Sequence, residues 1–211
     1  MNKASSPSMR VRLGAVALAS LSFVAVGSEA ATSGEAAKAV VRATADDVIA
    51  VLKDASLSSD QKREKIIVIV DRNFDFTTLS RLVLARNWAK LSKAQQEEFI
   101  VEFKRHLSIT YGNNVENYRD EKVVITGDRE EARGDWTVKS IIERPTAEDV
   151  KVDYRLRQLN GEWRMIDMIV EGVSLVANFR SQFQDIIAKN GPAKVIELLR
   201  QKNDKAGPLK S

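Results

Sequence analysis

The stretch VKVDYRLRQLNGEWRMIDMIV, residues 150–170, restricts the possible folds of this chain more than any other. Val150, Val152, Tyr154 and Leu156 fall on one side of an extended backbone, and Lys151, Asp153, Arg155 and Arg157 on the other. Period-two alternation of this kind describes an antiparallel strand with one dry and one wet face. Asn160-Gly161 follows, and both residue types tolerate the positive φ that a two-residue hairpin turn requires. EWRMIDMIV then returns as a second strand. Upstream, KVVIT (122–126) and DWTVKSIIE (135–143) read as two more, with short connections. The expectation is a four-stranded, twisted antiparallel meander.

The segments on either side change to helical spacing. Val41, Ala45, Val48 and Leu52 share one helical face within 36–53. Ser58 with Gln61 three residues on has the spacing of a capping box, which favours a helix through IIVIV (66–70) although five β-branched residues would also suit a strand. Thr77 or Thr78 is expected to cap a short helix through Leu79, Leu82 and Val83. Ser92 with Gln95 opens a longer one, carrying Phe99, Phe103, Leu107 and Tyr111 and weakened at Gly112. Beyond the strands, Ser174 caps a helix with Leu175, Phe179, Phe183 and Ile186 in a stripe. Asn190-Gly191 ends it, Pro192 starts the last helix to residue 202, and residues 203–211 are expected to be disordered. Helices, then strands, then helices mean an α+β fold with helices packed on one face of the sheet.

Residues 1–30 are set apart. Lys3, Arg10 and Arg12 precede the apolar run Leu13–Val26, and Ser28-Glu29-Ala30 offers small residues where a signal peptidase reads. A cleavable export signal is expected, leaving one domain over residues 31–202 in a bacterial periplasm. The chain has no cysteine, so that domain must hold together by its core alone. The formal charge of +4 falls to +2 from residue 31 on, and charges alternate in sign without a basic cluster. Nucleic acid is not an expected partner.

Catalytic signatures are missing. No GxSxG, GxGxxG, P-loop or HExxH occurs, and His106, the only histidine, reads as a surface helix residue without a second imidazole for a metal. Asp167 is the one candidate base, because its neighbours in WRMIDMIV are apolar. Pairing with an arginine, or a place on the wet face, explains it more simply.

Three stretches resemble the MlaC family, the toluene-tolerance proteins that shuttle phospholipid across the Gram-negative periplasm. They are NFDFTTLSRLVLARNWAKLSKAQQEEFIVEFKRHLSITY (73–111), VDYRLRQLNGEWRMIDMIVEGVSLVANFRSQF (152–183) and NGPAKVIELLRQK (190–202). The second is the most specific, with its Y-R-L strand, G-x-W hairpin and D-x-x-V-E-G-V-S-L-x-x-N-x-R order. One departure is Ala85, where the family often has glycine, and a less sharply turned backbone is expected there. The resemblance implies a soluble carrier whose sheet and helices enclose acyl chains in an apolar cavity, with the headgroup near solvent; a monomer that is not an enzyme and needs no cofactor is expected. It also implies two partners, an outer-membrane lipoprotein complex and the lipid-binding ring of an inner-membrane ABC transporter. Strand and helix facing then nominates Phe74, Trp136, Tyr154, Trp163, Met165, Val173, Phe179 and Phe183 as cavity residues, with Arg155, Arg180 and Lys151 for headgroup or partner. Two alternatives stay open at this point, a pocket enzyme using Asp167 and an interaction domain with a filled core.

Overall fold

The computed structural model describes residues 26–112 and 118–206, with side chains from residue 33 on. Four helices come first: α1 (Val26–Lys53), α2 (Ser59–Asn73), α3 (Phe76–Leu84) and α4 (Lys93–Gly112), with a 3-10 turn over Ala85–Lys90 between the last two. The strands follow as β1 (Lys122–Glu130), β2 (Trp136–Glu143), β3 (Val150–Leu159), β4 (Glu162–Val170) and β5 (Val173–Ser174). Helices α5 (Leu175–Asn190) and α6 (Ala193–Ala206) close the described chain. Most of the expected export signal lies outside the described residues, and α1 runs unbroken through positions 30 and 31.

The sheet is antiparallel throughout in the order β1-β2-β3-β4-β5, so it has five strands where four were expected. The extra strand comes from Glu171-Gly172. Both residues have positive φ (49° and 78°), so the chain reverses and pairs Val173 with Val170 and Ser174 with Ile169 before the helix begins. Sequence reasoning took Gly172 for a direct turn from strand into helix. Asn160 and Gly161 do form the expected hairpin, with φ of 53° and 86°.

Three of the expected caps form. Ser58 and Ser92 each accept from the backbone of the glutamine three residues on, whose side chain bonds back, and Ser174 Oγ accepts from Ala177 N at 3.0 Å. IIVIV lies in α2, as its cap indicated. The cap of α3 differs from expectation. Asp75 supplies it, its Oδ1 accepting from Thr77 N at 3.0 Å and Thr78 N at 3.2 Å, because an ionised carboxylate at the N-terminus satisfies two free N–H groups at once.

Ala85 also corrects the sequence reading. Its φ of 48° and ψ of −127° put an alanine in a conformation that glycine adopts far more easily, so the turn is as sharp as glycine would make it, with strain. The end of the chain differs too. Residues 203–206, assigned to a disordered tail, form the last turn of α6. Asn203 is 1% exposed there, donating to Glu102 O at 2.9 Å and accepting contact from His106 Nδ1 at 3.3 Å. His106 is therefore half-buried between α4 and α6 and edge-on to Phe179, not a surface residue.

The core divides into two layers. In the helical layer, α3 to α6 bring together Leu79, Val83, Phe99, Phe103, Phe179, Phe183, Ile196 and Leu199. In the sheet layer, α1 lies on the strand face that carries Trp136, Val138, Leu156 and Met165, contributing Ala37 and Val41. Gly34 permits that approach, since a Cβ there would overlap the Asp128 carboxylate and come within 2.9 Å of the Trp136 ring. Lys38 reaches Asp128 at 2.9 Å, and Asp128 accepts from Trp136 Nε1 at 2.8 Å, so one carboxylate fastens α1 to two strands. Phe74 packs against both layers and bridges to Met165, while Asp75 N donates to Met165 O at 2.9 Å. That bridge covers the part of the β4 edge that two-residue β5 leaves open.

Candidate functional site

The eight nominated cavity residues separate into three places. Phe74, Trp136, Tyr154, Trp163 and Met165 gather in the sheet layer, with Val40, Val138, Leu156 and Ile125 around them. Phe179 and Phe183 lie instead in the helical layer. Val173, on β5, is 60% exposed and belongs to neither.

The two layers use their aromatic rings differently. Phe99, Phe103, Phe179 and Phe183 contact one another in five ring pairs at 4.9 to 6.2 Å, and all four are buried. Rings at such separations in edge-on, tilted and stacked arrangements fill their own space. In the sheet layer Trp136 and Trp163 meet edge-on at 6.5 Å, but Phe74, Tyr154 and Trp163 each keep accessible surface although they pack on buried neighbours.

Tyr154 is the most informative of these. It stands on β3 between Val138 of β2 and Met168 of β4. Burial pushes its phenol up to about 12, with no charged group contributing, so protein surrounds the hydroxyl on most sides. Yet the side chain is only half-buried, and the hydroxyl has no hydrogen bond among the described residues. Trp136, by contrast, spends its N–H on Asp128.

Asp167, Arg155 and Arg180 have structural work. Asp167 is buried, and its carboxylate accepts from Met168 N at 2.9 Å, Ser174 Oγ at 2.5 Å and Val176 N at 3.0 Å. Among the described residues it has no salt bridge to an arginine, and it is not on a wet surface; it ties β4 to the start of α5, where a carboxylate meets the positive end of the helix. This explains why Asp167 and Ser174 stand seven residues apart with the Glu171-Gly172 reversal between them. Arg180 donates from Nε to Leu82 O at 3.1 Å, closing the end of α3. Arg155 and Arg157 converge on Asp135, which is 0% exposed. Arg157 Nε and Nη2 donate to its two oxygens at 2.6 and 2.8 Å, and Arg155 Nη2 lies at 3.0 Å. Lys151 is exposed; its backbone N–H donates to the Glu171 carboxylate at 2.5 Å, and its side chain has no partner among the described residues.

Sequence reasoning overlooked Gly34, Ala37 and Lys38, the residues by which α1 seats on the sheet. The 34–37–41 spacing of small and apolar residues was a readable signal for a close-packed helix face. Among the described residues, no group of three or more histidine, aspartate or glutamate side chains could hold a metal ion, and no helix is long and apolar enough to cross a membrane.

Comparison with known proteins agrees with this architecture. A family model described as MlaC protein matches residues 42–201. Toluene tolerance protein ttg2D of Pseudomonas putida is 28% identical over 102 residues, which cover 48% of this chain and 47% of that one, so the chain spans about half the length of that curated relative. A phospholipid-binding protein from Ralstonia solanacearum, solved in complex with a phospholipid, superposes with a TM-score of 0.72 at 27% identity. The match covers 81% of this chain and 98% of that one.

Proposed function

This chain belongs to the MlaC protein family, and on that premise we propose that it is a periplasmic phospholipid carrier, not an enzyme, holding acyl chains between α1 and the inner face of the sheet. One observation carries the reading. Three of the four aromatic residues in the sheet layer, Phe74, Tyr154 and Trp163, keep accessible surface although they pack on buried neighbours, and the Tyr154 phenol is strongly desolvated as well. Surface of that kind is what the wall of a hollow presents, whereas a filled core leaves none. The Ralstonia relative, described as binding phospholipid and solved with one, supports the ligand class.

Phe74, Tyr154 and Trp163 would form the wall, with the buried Trp136 and Met165 packed behind them. Phe179 and Phe183 would brace the helical layer behind it, and Val173 would sit at the rim. Nothing reactive is needed there. Burying a CH₂ group contributes ~0.8 kcal/mol, so a ~16-carbon tail represents on the order of 13 kcal/mol gross. A lipid released into water would forfeit that; direct handover between docked apolar sites avoids it. The donor and acceptor in this reading are an outer-membrane lipoprotein complex and the lipid-binding ring of an inner-membrane ABC transporter. Handover of lipid would serve to maintain outer-membrane lipid asymmetry.

Native mass spectrometry of protein purified from the bacterial periplasm tests the reading. Retention of phospholipid, lost on organic extraction and regained from vesicles, is expected. Protein that stays empty under all three conditions refutes it.

A further inference from the structure

Building on the lipid-binding reading above, we infer that Tyr154 determines ligand specificity, its hydroxyl donating a hydrogen bond to an acyl-ester carbonyl of the bound lipid. Tyr154 packs against a buried apolar cluster that includes Trp136, Val138, Leu156 and Met165. No described residue accepts from its hydroxyl, and the neighbouring side chains do not seal it. In the empty protein water can satisfy such a donor. Once hydrocarbon displaces that water, the hydroxyl is left unpaired unless the ligand brings an acceptor of its own.

The chemistry of the surroundings selects the acceptor. Among the described residues no charged side chain acts on Tyr154, so an ionised phosphate or carboxylate placed there would lack a counter-charge and be costly to bury. A neutral carbonyl has no such cost. The ester carbonyl, moreover, is the polar group attached directly to the hydrocarbon that the wall takes up. Trp163 also has a free indole N–H among the described residues, but it stands beside the Asn160-Gly161 turn, where water can reach it.

The test uses delipidated full-length protein incubated with vesicles of equal parts dipalmitoylphosphatidylcholine and its dihexadecyl ether counterpart, which lacks both carbonyls. The ratio of the two lipids retained is read by native mass spectrometry for the natural protein and for Tyr154→Phe. The natural protein should favour the diacyl lipid over Tyr154→Phe by about three- to tenfold in that ratio, the range expected for one hydrogen bond. Empty Tyr154→Phe should melt no lower than the natural protein, since no internal bond is lost. Equal ratios in the two proteins would overturn the inference and leave lipid binding standing. A lower melting temperature of the empty variant would also overturn it, by revealing an internal partner. Retention of neither lipid by the natural protein would remove the lipid-binding reading itself, and the inference with it.

Discussion

The helical layer and the sheet layer are built from similar residues and arranged to opposite effect. Four phenylalanines from α4 and α5 close on one another until none keeps appreciable surface. Under α1, two tryptophans, a tyrosine and Phe74 meet on the sheet, and three of the four do keep it. The contrast comes from the backbone. Helices α4 and α5 present rings at four-residue spacing that can interlock, whereas a twisted sheet holds side chains at fixed spacing and a single helix crossing it can cover only part of the face. Apolar composition is therefore shared between the layers, and room for a ligand need not be.

The largest expected effect separates the layers by stability. Phe103 is 0% exposed and touches three other rings, so Phe103→Ala should lower unfolding stability by about 3–5 kcal/mol. Lipid retained per folded molecule should stay unchanged. Denaturant melts combined with lipid counts check both halves, and loss of lipid without loss of stability would break the division.

The reverse effect is expected on the sheet side. Gly34→Leu would drive a side chain into the pinned Asp128 carboxylate and the Trp136 ring, lifting α1 at a cost of about 1–3 kcal/mol. Lipid retention should fall much more than stability does. A variant that melts normally and retains a full complement of lipid would show that the seat of α1 is irrelevant to binding.

Ala85→Gly is a smaller change of opposite sign. Relief of the strained φ should outweigh the extra freedom of the unfolded chain and raise stability by about 1 kcal/mol, measurable as a shift in denaturation midpoint. Because Ala85 joins α3 to the 3-10 turn, the change should leave lipid retention alone.

The smallest effect depends on pH. Burial holds the His106 imidazole below its ordinary value, with Lys202 adding to the shift and the Asn203 bond opposing it. A depressed histidine value means that the unfolded chain takes up the proton more readily. Stability should therefore be complete above about pH 6.5 and decline as pH falls below it. His106→Gln should flatten that slope in melts between pH 7.5 and 5, and an unchanged slope would assign it to other groups.

The sequence made much of the fold legible, for reasons that are local. Alternation along β3, the Asn160-Gly161 turn and the serine caps each report on a few neighbouring residues, and each formed as expected. What stayed hidden was contact between distant segments. Phe179 and Phe183 have the helical spacing of a ligand wall and of a packed core alike, and only the placement of Phe99 and Phe103 decides between them. His106 read as a surface residue because Asn203, its partner, lies 97 residues away. Residues 203–206 read as a tail because the same asparagine's tie to Glu102 leaves no pattern in sequence. Asp167 stood out in the sequence as a possible base, with an arginine pair or the wet face as the simpler account, and its use as a tie became plain only when Ser174 and Val176 folded back onto it.

The central claim, that acyl chains lie against the sheet and not among the helical rings, is open to direct measurement. A phospholipid carrying a photoreactive diazirine in its acyl chain can be loaded into the protein, irradiated, and its attachment sites read by peptide mass spectrometry. Attachment at Phe74, Tyr154 and Trp163 is expected. Attachment concentrated at Phe99, Phe103, Phe179 and Phe183 would contradict the claim.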